Sequence, residues 1–131
     1  AETYFAAPAD EPGALEVGIL RGVVACRRGE YRAARAEALR ALRARRTGAP
    51  VQTASALLLL GEVHGYLGHY GRARGYLERA LGVAEGLGDR WLASEAHLLL
   101  SRTHRAAGAY EGALRDGLAA LGQKRAVGDP L

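Results

Sequence analysis

Three stretches of this chain follow one plan. "GEYRAARAEALRAL" spans Gly29–Leu42, "GHYGRARGYLERAL" spans Gly68–Leu81, and "GAYEGALRDGLAAL" spans Gly108–Leu121. They share five positions without a gap: Gly, Tyr two residues on, Ala three after that, and a closing Ala-Leu. The offsets are 39 and 40 residues. A period in this range is the signature of stacked supersecondary units, each too small to bury its apolar face alone. The match extends upstream, where "LLLLGEVHGYLG" (Leu57–Gly68) aligns with "HLLLSRTHRAAG" (His97–Gly108), and more loosely with Gly18–Gly29. Downstream, Gly48, Gly88 and Gly128 recur at a period of 40, with Asp89 and Asp129 after two of them.

Each unit reads as two helices. Apolar residues of the first helix fall at helical spacing: Ile19, Val23 and Val24; Leu57, Leu60, Val63 and Leu67; Leu99, Leu100 and Thr103. Gly29, Gly68 and Gly108 suit the left-handed residue that ends such a helix. The second helix starts at the following Tyr. Small residues recur on one of its faces: Ala34, Ala38 and Ala41; Ala73, Leu77 and Ala80; Ala113, Gly117 and Ala120. That spacing lets two helix backbones approach closely. Pro50 suits a first helical turn, and Asp89 an N-cap. Asp10-Glu11-Pro12 gives the same entry signal, while residues 1–9 carry no periodicity and read as a loose lead-in. The expected fold is all-α: three helix hairpins in units of about 10–48, 49–88 and 89–128, stacked as an α-α superhelix over residues 10–131. The chain has no methionine and stops at "GDPL", where a fourth unit would open, so a fragment of a longer chain is expected.

The spacing of Leu60-Gly61, His64, Gly68, Tyr70, Ala73, Leu77 and Ala80 resembles the tetratricopeptide repeat. That motif runs W-x2-L-G-x2-Y, then Ala and Phe, over about 34 residues. The second unit fits it best. The third has Ser101 for the glycine and Gly117 for the large residue of the second helix, and the first has Arg21 where the others have Leu60 and Leu100. Longer repeats with a Gly-Asp close look like those of large bacterial signalling and transcription regulators, and of kinesin-light-chain-like adaptors. A chain rich in arginine, with Lys124 its one lysine, fits a GC-rich bacterial source.

The resemblance implies a non-catalytic module that binds a protein or peptide partner in a concave groove lined by the first helix of each pair. Carried over residue by residue, the groove positions are Glu16, Ile19, Val23, Cys26 and Arg27; Ser55, Leu58, Glu62, Gly65 and Tyr66; Glu95, Leu98, Arg102, Arg105 and Ala106. Across the units these form an apolar row (Ile19, Leu58, Leu98), a mixed row (Val23, Glu62, Arg102) and a small floor with a positive end (Cys26, Gly65, Arg105). The apolar row serves either a partner or the packing of neighbouring helices. Chaperone-binding members of the family grip a carboxylate with lysine, arginine and asparagine; this chain has no asparagine and its lysine lies outside the groove set, so that clamp is not expected.

Other chemistries find little support. His64 and His104 stand at equivalent places, but successive repeats separate equivalent atoms by about 10 Å, far beyond metal-ligand bonds of about 2 Å, so packing is expected of both. Neither His69 nor His97 has a carboxylate or cysteine at ligand spacing. No Ser-His-Asp, paired-carboxylate or phosphate-loop signature appears, and no cofactor is expected. The charge is uneven: from Arg21 to Arg46 there are nine arginines and two acids, against a net of +4 for the whole chain. On the second helix Arg32, Arg35, Arg43 and Arg46 share an arc of about 80°. This stripe is a solvated face, or a contact for nucleic acid or an acidic protein surface. Interleaved stacking aromatics, which single-strand binders use, are missing from it. Nucleic-acid association is therefore the second reading of function, and self-association through an exposed repeat end the third.

Cys26 is the single cysteine, so no intramolecular disulfide can form, and a cytoplasmic setting is compatible. It is a lone buried thiol, or a redox-sensitive one whose thiolate Arg27 and Arg28 would favour. Trp91 is expected to anchor packing between repeats. Apolar runs such as Ala56–Leu60 are far short of a membrane span.

Overall fold

The computed structural model describes residues 13–44 and 49–128, with side chains as far as Lys124. Within them lie six helices: α1 (Ala14–Arg27), α2 (Tyr31–Arg43), α3 (Pro50–Tyr66), α4 (Tyr70–Leu87), α5 (Arg90–Ala106) and α6 (Tyr110–Gly128). They form three hairpins, α1–α2, α3–α4 and α5–α6, as the period requires. The entry signal at Asp10–Pro12, Gly48, Arg46 and Asp129 lie outside the described residues.

The turns inside the hairpins are identical in kind. Gly29, Gly68 and Gly108 adopt φ of 80°, 82° and 83°. Their N–H groups donate to the carbonyls of Cys26, Gly65 and Arg105. The next residue's N–H reaches one carbonyl further back, to Ala25, His64 and His104. This double bond pattern is the Schellman close, and only a residue free to take a left-handed φ makes it without strain. Gly88 repeats it between α4 and α5, and Asp89 then caps α5, its Oδ1 accepting from the Leu92 N–H at 3.0 Å. Pro50 is the first residue of α3, and Gln52 Oε1 accepts from the Ala49 N–H at 2.6 Å.

Each helix packs on its sequence neighbours, and α1 also meets α3, and α3 meets α5. Among the described residues the second helices do not meet one another: α2 stays clear of α4, and α4 of α6. First helices close together and second helices splayed apart give a curved array whose inner face belongs to α1, α3 and α5. The core is small-residue rich. Ala34, Ala38, Leu59, Leu60 and Val63 bury together at the α2–α3 junction, with Tyr31, Leu39 and Leu42 packed on them. Ala54, Ala84, Leu92 and Ala93 do the same between α3, α4 and α5.

Close approach explains two glycines. A Cβ on Gly61 would collide with Leu77 and come within 3.3 Å of the Ala73 carbonyl; one on Gly22 would collide with Leu59 and lie 3.4 Å from the Ala34 carbonyl. Ser101 holds the same place in the third hairpin, and its Oγ donates to the Ala113 carbonyl at 2.7 Å. One expectation fails: Trp91 is 56% exposed, so it anchors no packing between repeats. It stands one residue into α5, next to the buried Leu92 and Ala93.

Candidate functional site

The inner face carries an open cleft of about 620 Å³, lined by Arg27 of α1, by Gly61, Glu62, Gly65 and Tyr66 of α3, by Tyr70 of α4, and by Leu99, Arg102, Thr103, Arg105 and Ala106 of α5. All three first helices contribute through their C-terminal halves. They do so because α1 packs on α3 and α3 on α5, with the three helices ending at equivalent repeat positions.

The electrostatics of the cleft are lopsided. Glu62 is the one acid among its lining residues, and Arg27 Nη1 donates to Glu62 Oε2 at 2.7 Å. That hydrogen bond, with the charge behind it, holds the Arg27 guanidinium above its ordinary pKa. Arg102 and Arg105 are exposed on the opposite wall, and no carboxylate of the described residues stands within ion-pair distance of either. Tyr66 is half exposed and stacked on Tyr31, with ring centroids 5.4 Å apart, so its ring is held flat by α2. The floor of Gly61 and Gly65 keeps the backbone of α3 accessible. The cleft thus offers two unpaired guanidinium groups, an aromatic wall and apolar patches at Leu99 and Ala106.

Of the residues expected from the sequence, Arg27, Glu62, Gly65, Tyr66, Arg102, Arg105 and Ala106 are brought together here. Glu16 is exposed near the start of α1 and accepts from Gln52 Nε2 at 3.1 Å. Val23 packs on the α2–α3 cluster, and Leu58 on the α3–α5 cluster, each half-buried. Ile19, Ser55, Glu95 and Leu98 are half-buried and line no part of the cleft. The row Ile19, Leu58 and Leu98 is therefore not part of this cavity; its apolar wall is Leu99, one residue and about 100° around the helix. Tyr70 lies on a second helix, outside the first-helix positions that the family resemblance supplies, although its recurrence two residues after each turn glycine marks it. Of the basic stripe, Arg32, Arg35 and Arg43 are exposed on α2, and Arg40 rather than any of them pairs with Glu37, at 2.9 Å.

Cys26 is buried. Burial first, then Glu62, pushes its thiol above the ordinary value, against the weaker pull of Arg27. The thiolate that a redox role needs is disfavoured.

His64, His97 and His104 lie on first helices and contact residues of the second helix or turn of their own hairpins, while His69 is an exposed turn residue just before α4. His64 is buried, stacks on Tyr76 with ring centroids 5.5 Å apart, and shares a hydrogen bond with His69 at 3.2 Å between the two Nδ1 atoms. In the third hairpin Asp116 is buried between two histidines of α5: His97 Nδ1 lies 2.9 Å from Oδ1 and His104 Nε2 lies 3.3 Å from Oδ2. His97 and His104 are two turns apart on one helix face, and Asp116 comes from the other helix. No spacing rule within one segment picks out that trio. Among the described residues, no group of three or more His, Cys, Asp and Glu side chains is arranged to hold a metal ion, and no helix is long and apolar enough to cross a membrane.

Comparison with curated proteins and with solved structures returned no match. The sequence model of the tetratricopeptide repeat matches residues 15–86, more than half of the chain and all of the first two hairpins but their outer ends, and the chain belongs to the tetratricopeptide repeat family.

Proposed function

We propose that the cleft between α1, α3 and α5 holds a segment of a partner protein that carries carboxylate side chains beside an apolar or aromatic residue. Tetratricopeptide repeats mediate protein–protein interaction and are typically non-catalytic. The observation that supports the chemistry is the charge pairing. Glu62 is occupied by Arg27, which leaves Arg102 and Arg105 as unpaired guanidinium groups facing Tyr66 and Tyr70. A planar guanidinium binds carboxylates in a bidentate fashion, so two of them on one helix face select acidic side chains. Tyr66 and Leu99 supply the apolar contact that anchors such a segment. A module that binds without a reacting centre serves as the sensing or scaffolding part of a larger regulator, and its free buried thiol suits a reducing cytoplasm.

The test is selection of peptides from a displayed random library on the immobilised chain. Acidic peptides containing an aromatic or leucine residue should be enriched. Their binding should fall at least tenfold on the double variant Arg102→Glu/Arg105→Glu, whose helix content by circular dichroism stays unchanged. Enrichment of peptides that bind this variant equally well removes the reading.

A further inference from the structure

Trp91 is the sole tryptophan of the chain, and packing between repeats does not bury it. Rotation about the axis of α5 says where it points. The helix is unbroken from Arg90 to Ala106. At about 100° per residue, Trp91, Glu95, Leu98 and Arg102 share one arc of about 60°, with Trp91 and Arg102 only about 20° apart. Arg102 lines the cleft on the inner face. Trp91 therefore belongs to the inner face too, at the end of α5 remote from the cleft.

The repeat shows that this row stays open when hairpins stack. Val51 holds the equivalent place in α3, forty residues earlier. A first helix packs on either side of α3, α1 before it and α5 after it, yet Val51 is 45% exposed. One turn on from Trp91, Glu95 is half-buried, and no cation of the described residues stands within ion-pair distance of its carboxylate. The inner face of α5 is thus polarised along its length. Its N-terminal end offers an indole and an unpaired carboxylate, and its C-terminal end offers the unpaired Arg102 and Arg105.

We infer that Trp91 and Glu95 form a second subsite, which takes a lysine or arginine side chain of the segment whose carboxylates meet Arg102 and Arg105. The cationic head lies over the indole and is neutralised by Glu95, while its methylene stem covers apolar surface. The carboxylate is what favours a cation over a plain apolar side chain. Trp91 and Arg102 are eleven residues apart, about 16 Å along the axis at 1.5 Å per residue. An extended segment spans that in about five residues. The partner segment therefore carries its acids and its base about five residues apart, and Glu95 and the two arginines repel the reversed alignment. The subsite rests on the reading of the inner face as the binding surface, but Trp91 and Glu95 line no part of the cleft.

Fluorescein-labelled synthetic peptides free of tryptophan test this by anisotropy. Each carries Asp-Leu-Glu and one lysine about four to six residues to either side, with alanine and serine between. Its twin has norleucine for the lysine, which keeps the stem and removes the charge. The lysine peptide of matching spacing should bind the unmodified chain about threefold or more tightly than its twin, and should change the emission of Trp91. Glu95→Gln and Trp91→Ala, with unchanged circular dichroism, should each bring that ratio close to one. Equal binding of the twins at every spacing overturns the inference, as does a ratio that survives in both variants. Absence of binding by every peptide overturns it together with the cleft reading. Arg102→Glu/Arg105→Glu judges the cleft separately: if this variant binds every peptide as well as the unmodified chain and keeps the lysine ratio, the cleft reading falls and the subsite stands.

Discussion

Ser101 Oγ donates to the Ala113 carbonyl at 2.7 Å, at the position where the first two hairpins place Gly22 and Gly61 against the carbonyls of Ala34 and Ala73. One crossing of two helices is therefore solved in two ways: twice by removing the side chain, once by a hydroxyl short enough to hydrogen-bond across. Ser101→Ala should lower stability by about 1 kcal/mol, the net worth of one hydrogen bond. Gly61→Ala should be worse, by about 1–3 kcal/mol, because Leu77 is fully buried and has nowhere to move. Urea denaturation of both variants measures the difference.

Glycines of α4 make the opposite case. Gly75 and Gly82 lie inside the helix with ordinary φ, and a Cβ on either would meet nothing within 4 Å. Nothing in the structure requires glycine there. Gly75→Ala and Gly82→Ala should each raise stability by about 0.5–1 kcal/mol through a stiffer unfolded chain and better helix propensity. Gly68→Ala, at φ 82°, should lower it. The urea midpoints of the three variants should order accordingly.

Stability should depend on pH through His64. Burial foremost, then His69, Arg35 and Arg72, hold its pKa below the ordinary 6.5. As pH falls through 6.5 the unfolded chain takes up the proton before the folded one does. The contribution is therefore complete above that value and lost progressively below it. The urea midpoint should drop more between about pH 7.5 and about pH 5.5 in the native chain than in His64→Phe, which keeps the ring against Tyr76 without the titrating nitrogen. An equal drop in both chains would place the effect elsewhere.

The fold was legible because its grammar is local. A left-handed turn needs glycine, so Gly29, Gly68 and Gly108 announce where each hairpin bends, and Tyr31, Tyr70 and Tyr110 announce where the next helix starts. Pro50 and Asp89 mark two more starts for reasons as local. The candidate site was legible only in part, because a groove position is a matter of rotation about a helix axis. Choosing Leu98 over Leu99 turns the side chain by about 100°, which separates a half-buried residue from the cleft wall. The His97–Asp116–His104 cluster was hidden for a different reason. It joins two helices whose relative register no repeat position encodes, since the second hairpin has Leu57, Tyr76 and His64 at those places. Trp91 misled because bulk alone does not bury a residue; the neighbouring Leu92 and Ala93 already fill the core between α3, α4 and α5.

The Arg27–Glu62 pair gives the cleft its most direct probe. Arg27 is mostly exposed, so Glu62→Gln should change stability by less than about 1 kcal/mol. It should, however, release a third guanidinium group into the cleft.

Carboxylate recognition by the cleft is tested most directly by titrating one fluorescein-labelled acidic peptide from the library selection into three chains: the unmodified protein, Glu62→Gln and Arg102→Glu/Arg105→Glu. The peptide should bind Glu62→Gln several-fold more tightly than the unmodified chain, and the double variant at least tenfold more weakly, with all three losing affinity as salt rises. Equal affinity for the three folded chains would contradict it.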